Sequence, residues 1–271
     1  MNLTVLTWNV RRAKQESKVW NIISMLDPDI ITLQEVVGIP DNIKDAYCIH
    51  SKKATSKTGK EQIFSTVILA KGSISELALK SELVWVNKEL DFFKGNIVGS
   101  LVEIPGHLPI NVISVYSPAW PVDHNRLIDI DTSNIKLKQN PQVWCTEILW
   151  AALKDIKALR EKAWVVAGDF NSSVTFDYLW KGGPRGNQEI IDRLNALGLT
   201  ECLKNYNGVL TPTFRNPKGG KVIHQLDHMY VTRCLDSGLL KSYVCDSYSI
   251  FEESISDHLP IISEFDYKVK S

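Results

Sequence analysis

Residues 165–171, VVAGDFN, decide how this chain is read. An apolar, largely β-branched run stops at Gly168, and two side chains suited to a metal or a phosphate follow, Asp169 and Asn171. Strand alternation puts those two on one face and turns Phe170 into the core. Glycine at 168 lets the backbone bend or approach another group closely. Ligands gather outside the carboxyl ends of strands in α/β proteins, so the stretch is well placed for chemistry. Gly-Asp is equally an ordinary turn signal with Asn171 as its cap. The surrounding chain decides between the two.

Just before this stretch, residues 146–160 predict a helix with Ile148, Leu149, Ala152, Leu153, Ile156 and Leu159 on one face. After it, Gly182-Gly183-Pro184 makes a break, and residues 188–197 predict a helix closed by Gly198. Near the start, residues 3–9 (LTVLTWN) are apolar on both faces, as a strand between two layers is. A helix over 17–26 with Ser17 as cap follows, then a buried strand over 29–33 leading to Gln34-Glu35. Residues 38–62 read as loop, with Lys52, Lys53, Lys57 and Lys60 forming either a solvated face or a phosphate-tracking loop. Strands fit 63–70, 96–104 and 110–116, the last two made antiparallel by the Pro105-Gly106 turn. Residues 122–143 read as a surface excursion, and later strands fit 222–232, 242–250 and 260–267. Interleaved helices and strands with several short turns favour an α/β sandwich of mixed sheets over a doubly wound parallel sheet. With no repeat or linker-like stretch, residues 1–271 read as a single domain.

Hydrophobic residues make up 44% of the chain and charged residues 23%, so a full core is expected and disorder is not. Thirty-one basic and 31 acidic residues balance to a net charge of zero, which neither supports nor excludes a polyanionic substrate. Five scattered cysteines without a C-x-x-C pair argue against a disulfide framework or zinc site and for reduced thiols. No apolar run reaches the roughly 18 residues a membrane span needs. A soluble, cytoplasmic monomer is expected.

Asn9, Glu35, Tyr116 and the Asp169/Asn171 pair each end an apolar strand, Asp227 follows Gln225-Leu226, and Asp257-His258 opens the last strand. Taken singly these are ordinary turn and cap residues, and His224 and His228 read as structural. Together, W-N-V (8–10), Q-E (34–35), Y-x-P (116–118), G-D-F-N (168–171), L-D-H (226–228) and S-D-H (256–258) resemble the signature of the endonuclease/exonuclease/phosphatase superfamily, including its exonuclease III and apurinic-endonuclease branch. The resemblance implies a four-layer α/β sandwich, two mixed sheets packed face to face with helices outside. It also implies Mg²⁺-dependent phosphoester hydrolysis, with Mn²⁺ able to substitute. Magnesium is a hard ion that takes one or two carboxylates and keeps several waters. The resemblance gives it Glu35, with Asp257 and Asn9. Asp169 would orient or deprotonate the attacking water, and His258, paired with Asp227, would stabilise charge on the phosphate with Asn9 and Asn171. Tyr116 would donate toward a phosphate oxygen or the leaving group.

Arg11 stands two residues after Asn9, where the DNA-repair branch often carries an acidic or polar residue. A cation there disfavours a second metal and can instead touch phosphate. The Asn-Gly-Leu-Arg run that usually follows W-N-V is missing, which argues against an abasic-site specialist, whereas Tyr116 points toward the exonuclease and apurinic-endonuclease branch. Trp120 is placed either to stack on a base or to pack in the core. DNA is the expected substrate. The alternatives are a small phosphorylated substrate, such as an inositol phosphate, lipid headgroup or nucleotide, and a non-catalytic binding module on the same scaffold.

Overall fold

Strands apolar on both faces need a covering layer on each side, and the chain supplies both. The computed structural model describes residues 2–179, 184–216 and 220–268. Its strands are β1 (Leu3–Ala13), β2 (Ile30–Val36), β3 (Cys48–Thr55), β4 (Glu61–Ala70), β5 (Ser73–Glu76), β6 (Ile97–Glu103), β7 (Ile110–Tyr116), β8 (Ala163–Asp169), β9 (Leu199–Glu201), β10 (Asp227–Thr232), β11 (Leu239–Val244) and β12 (Ile261–Phe265). The helices are α1 (Val19–Leu26), α2 (Asp41–Ala46), α3 (Val84–Phe92), α4 (Cys145–Lys154), α5 (Val174–Leu179), α6 (Asn187–Ala196), α7 (Cys202–Asn207) and α8 (Arg233–Asp236). Two six-stranded sheets result, ordered β11-β12-β1-β2-β4-β3 and β5-β6-β7-β8-β10-β9. Each is mixed: β1 runs parallel to β2 and β7 to β8, while the other pairings are antiparallel.

Side-chain parity builds the four layers. Val5, Ile30, Ile68, Val112, Val165 and Met229 fill the space between the sheets. The next residue along β1, Leu6, joins Trp8 and Leu33 against Val19 and Ile23 of α1. Trp164 and Val166 of β8 pack on the other outer side, against Ile148, Leu149 and Leu153 of α4. Followed toward one end of the sandwich, the inner faces turn polar: Val5, Thr7, Asn9 in β1; Ile30, Thr32, Gln34 in β2; Val112, Ser114, Tyr116 in β7; Val165, Ala167, Asp169 in β8; and Val231, Met229, Asp227 in β10. The register brings these ends together, pairing Asn9 with Gln34, Tyr116 with Asp169, and Asp227 with Asp169. Gln34 Nε2 donates to Ser114 Oγ at 3.1 Å, linking the two sheets. No described helix is long and apolar enough to cross a membrane.

Several elements depart from the sequence expectation. Ser17 does not cap α1, which begins at Val19; its Oγ accepts the Lys14 N–H at 2.8 Å instead. The helix expected to reach residue 160 stops at Lys154 and resumes only as a single turn at Leu159–Glu161. Residues 222–226 carry no strand, while β11 begins at Leu239 and stops at Val244. Residues 38–62, read as loop, hold α2 and β3. β3 is an edge strand of mostly polar side chains, six of its eight residues at least partly exposed, so it lacks an apolar alternation to read. Lys52 on β3 pairs with Glu76, and Lys53 Nζ donates to the Ile63 carbonyl at 2.7 Å, so local contacts occupy both. Gly182 and Gly183 lie outside the described residues, and the helix expected over 188–197 is α6, with Gly198 past its end at φ 88°. Trp120 packs on Phe93 with ring centroids 5.8 Å apart. All five cysteines are free thiols.

Glu147 in the first turn of α4 is 1% exposed, and its Oε2 accepts the Trp144 N–H at 2.5 Å. Burial lifts its carboxyl to about 7, against the pull of the Trp144 N–H and its own N–H. An acid whose pKa is raised in the folded state contributes stability below its ordinary value of 4.5 and loses it as pH rises through about 7. Urea unfolding at pH 5 and pH 8 should therefore show a less stable protein at pH 8. Glu147→Gln, which keeps an acceptor for Trp144, should shrink that difference by about 1 to 3 kcal/mol. An unchanged difference would mean that Glu147 is not its source.

Candidate active site

Gly168 leads into the site at φ 146°. A Cβ there would lie 2.0 Å from the Val115 carbonyl oxygen on the neighbouring strand, so only glycine fits. Asp169 ends β8, is 2% exposed and accepts from Asn9 Nδ2 at 2.9 Å, bridging the two sheets. Asn171 reaches it by a different route from the strand alternation expected of the sequence. The strand has ended, Asn171 sits at φ 47°, and this left-handed turn brings its N–H to Asp169 Oδ1 at 2.9 Å. Its Nδ2 donates to the Ser117 carbonyl at 2.7 Å and to Asp169 Oδ2 at 3.2 Å. Phe170 is buried, as expected.

On the far side of Asp169, His258 Nδ1 lies 2.8 Å from Asp227 Oδ2, and His258 Nε2 lies 4.0 Å from Asp169 Oδ2. The imidazole is held from several directions. Thr213 Oγ1 donates to Asp227 Oδ2 at 2.7 Å, and Trp8 Nε1 donates to the His258 carbonyl at 2.8 Å. Ser256 Oγ accepts the His258 N–H at 3.1 Å and donates to the Asn9 carbonyl at 2.7 Å. Burial disfavours an imidazolium, but Asp227 and Asp169 outweigh it and hold the His258 pKa up at about 10. Burial raises Asp169 to about 7; His258, Asn9 and the Asn171 N–H act against that rise, and Asp227 adds to it. The result is a carboxyl held above the usual carboxylate range beside a histidine held in its charged form.

Glu35 has outward parity in β2, yet it turns toward Tyr116. The register of β2 slips between Leu33 and Val36, and Glu35 adopts φ 61°. Its carboxylate hydrogen-bonds the Tyr116 phenol, which burial first, and then Glu35 and Asp169, push well above the usual tyrosine range. Tyr116 is therefore a proton donor at any ordinary pH. A matching slip in β1 between Asn9 and Ala13 leaves Arg11 and Arg12 at φ 45° and 60°. Arg11 Nε lies 3.9 Å from Asp257 Oδ2, and Arg12 Nε lies 3.9 Å from Glu35 Oε2. The Arg12 guanidinium also rests 5.7 Å from the Phe64 ring centre.

Among the described residues, Asp169, Asp227 and His258 place ligand atoms within 4.8 Å of one another. Hydrogen bonds take up much of that trio: His258 Nδ1 binds Asp227 Oδ2, and Asn9 and Asn171 bind Asp169, while Asp227 Oδ1 is buried without a partner. Glu35 and Asp257 fit a hard cation better, because both carboxylates stay partly open to solvent and their arginines stand beyond hydrogen-bond distance. Asn9 Oδ1 already accepts the Arg11 N–H at 3.0 Å, leaving one lone pair for an ion.

The sequence reading missed Thr213, Ser117 and Arg12; the first two sit in irregular stretches whose partners are set only by the fold, and Arg12 is placed by the β1 slip. His228 and His224 stand apart from the trio. His228 Nε2 lies 3.0 Å from the Ser172 carbonyl and His224 Nδ1 lies 2.6 Å from Thr175 Oγ1, in structural roles.

Residues 6–258 match the model of the Endonuclease/Exonuclease/phosphatase family. No curated protein matches the sequence. An AP endonuclease from Archaeoglobus fulgidus superposes with a TM-score of 0.69 at 16% identity, over 97% of this chain and 99% of that one. The 3′-5′ exonuclease NExo from Neisseria meningitidis gives 0.66 at 18%, over 98% and 100%. The catalytic domain of Xenopus laevis APE2 gives 0.66 at 16%, over 99% and 94%. At such identities the likeness is one of fold, the four-layer sandwich.

Proposed function

The chain belongs to the endonuclease/exonuclease/phosphatase family, whose members hydrolyse phosphoester bonds, and on that premise we propose that it is a magnesium-dependent phosphodiesterase acting on DNA. The reading rests chiefly on Asp169, a buried carboxyl at a strand end that touches both asparagines and faces His258, and that burial holds above the usual carboxylate range. A general base works best when its pKa lies close to the operating pH. Asp169 takes the proton of the attacking water, while Asn9 and Asn171 fix its orientation. His258, kept charged by Asp227, offsets the negative charge that builds on the phosphate in the transition state. Tyr116 donates its phenol proton toward a phosphate oxygen or the leaving group.

Glu35, Asp257 and Asn9 would hold the Mg²⁺, with Mn²⁺ as a substitute. When bound, the ion draws charge from a phosphoryl oxygen as a Lewis acid. Residues 1–271 act as one catalytic domain. DNA is favoured by three arginines at the rim, Arg11, Arg12 and Arg215, of which Arg11 and Arg215 share a cleft with Asp257. A protein of the same fold, the Neisseria 3′ phosphatase NExo, was solved bound to a product DNA hairpin.

The purified protein should cut a DNA oligonucleotide with Mg²⁺ or Mn²⁺ and stop on addition of EDTA. Glu35→Gln should weaken Mg²⁺ binding by tenfold or more in calorimetry without changing the melting temperature. Cutting in EDTA, or full activity on an inositol phosphate, nucleotide or lipid headgroup with none on DNA, would overturn the reading.

A further inference from the structure

Beside the trio lies a cavity of about 280 Å³ that the steps above leave unused. Phe170, Phe176, Trp144, Leu137 and Ile190 wall it, and Ser117 and Asn171 border it on the catalytic side. We propose, resting on the phosphodiesterase reading, that this cavity binds the nucleobase of the nucleotide attached to the reacting phosphate.

Size comes first. Small-molecule sites usually span roughly 300 to 1,000 Å³, so this one takes a ring system and not a whole dinucleotide. Position comes second. Asn171 belongs both to the cavity wall and to the Asp169 cluster, so a phosphate held there has its ester substituent at the cavity mouth. Chemistry comes third. Aromatic walls stack on the face of any base, a contact worth about 1 to 3 kcal/mol per base. Trp144 offers its indole as one of those walls.

The amides around the cavity are already spent. Asn187 Oδ1 accepts from Ser172 Oγ at 2.8 Å and its Nδ2 donates to Asp177 Oδ1 at 2.8 Å. Asn140 Nδ2 donates to the Arg185 carbonyl at 3.3 Å. With those groups committed, the walls read a flat apolar face better than a hydroxyl-rich sugar. Aromatic walls also suit a quaternary ammonium, but Glu147, the one carboxylate among the lining residues, is 1% exposed and already accepts the Trp144 N–H.

Three diesters sharing a p-nitrophenolate leaving group test the proposal, with thymidine 5′-, choline or methyl as the second substituent on phosphorus. With Mg²⁺ present, kcat/KM for the thymidine ester should exceed that for the methyl ester by tenfold or more, with choline no better than methyl. Ala119 lies exposed on the cavity wall, so Ala119→Trp can cover the mouth without entering the core. It should bring the thymidine-to-methyl ratio close to one while the melting temperature stays put. A ratio near one in the wild type, a preference for choline, or a ratio unmoved by Ala119→Trp would each overturn the nucleobase proposal alone. Failure to hydrolyse any of the three would overturn the phosphodiesterase reading as well.

Discussion

Asp169→Asn should leave a folded protein whose kcat on a DNA diester has fallen by about 10² to 10⁴, the range a positioned general base supplies. The amide has nearly the same shape, and its oxygen can still accept from Asn9 Nδ2 or the Asn171 N–H. The basic oxygen is lost. Burial is what raises the Asp169 pKa, so the neutral replacement removes a desolvation cost, and the melting temperature should hold or rise. Circular-dichroism melts alongside single-turnover kinetics separate the two effects. Activity within twofold of the wild type would remove Asp169 from the chemistry.

Gly168→Ala should be the most destabilising single-atom-scale change near the site. The added Cβ would meet the Val115 oxygen at 2.0 Å and its carbonyl carbon and amide nitrogen at 2.8 Å, all backbone. β7 and β8 would have to separate, dragging Tyr116 out of register with Asp169. A loss of about 4 kcal/mol or more is expected, at the upper end for point substitutions. Gly106→Ala is the control: it too has a positive φ, 85°, but nothing lies within 4 Å of the new atom. It should cost only the left-handed penalty of about 1 to 2 kcal/mol. Equal urea midpoints for the two variants would mean that the contact at Val115 carries no weight.

Much of this site can be read along the chain because parity does the work. Asn9, Tyr116 and Asp169 end, and Asp227 begins, an inner-facing series that is apolar toward the middle of the sandwich, so period-2 reasoning places them on one face. Family likeness adds His258 and Asp257. Parity fails where the backbone leaves the strand: Glu35 and Asn171 get their directions from left-handed residues, and a sequence does not announce those at Glu or Arg. β3 and the early stop of α4 were illegible for a different reason. An edge strand of polar residues and a helix C-terminus without glycine leave little signal.

The four residues at φ 45°, 60°, 61° and 47° (Arg11, Arg12, Glu35 and Asn171) each stand where glycine would cost less. At roughly 1 kcal/mol apiece, that strain amounts to a sizeable share of the 5 to 15 kcal/mol that separates folded from unfolded domains. A lineage freed from the need to hydrolyse phosphoesters would therefore gain robustness simply by drifting to glycine at these places.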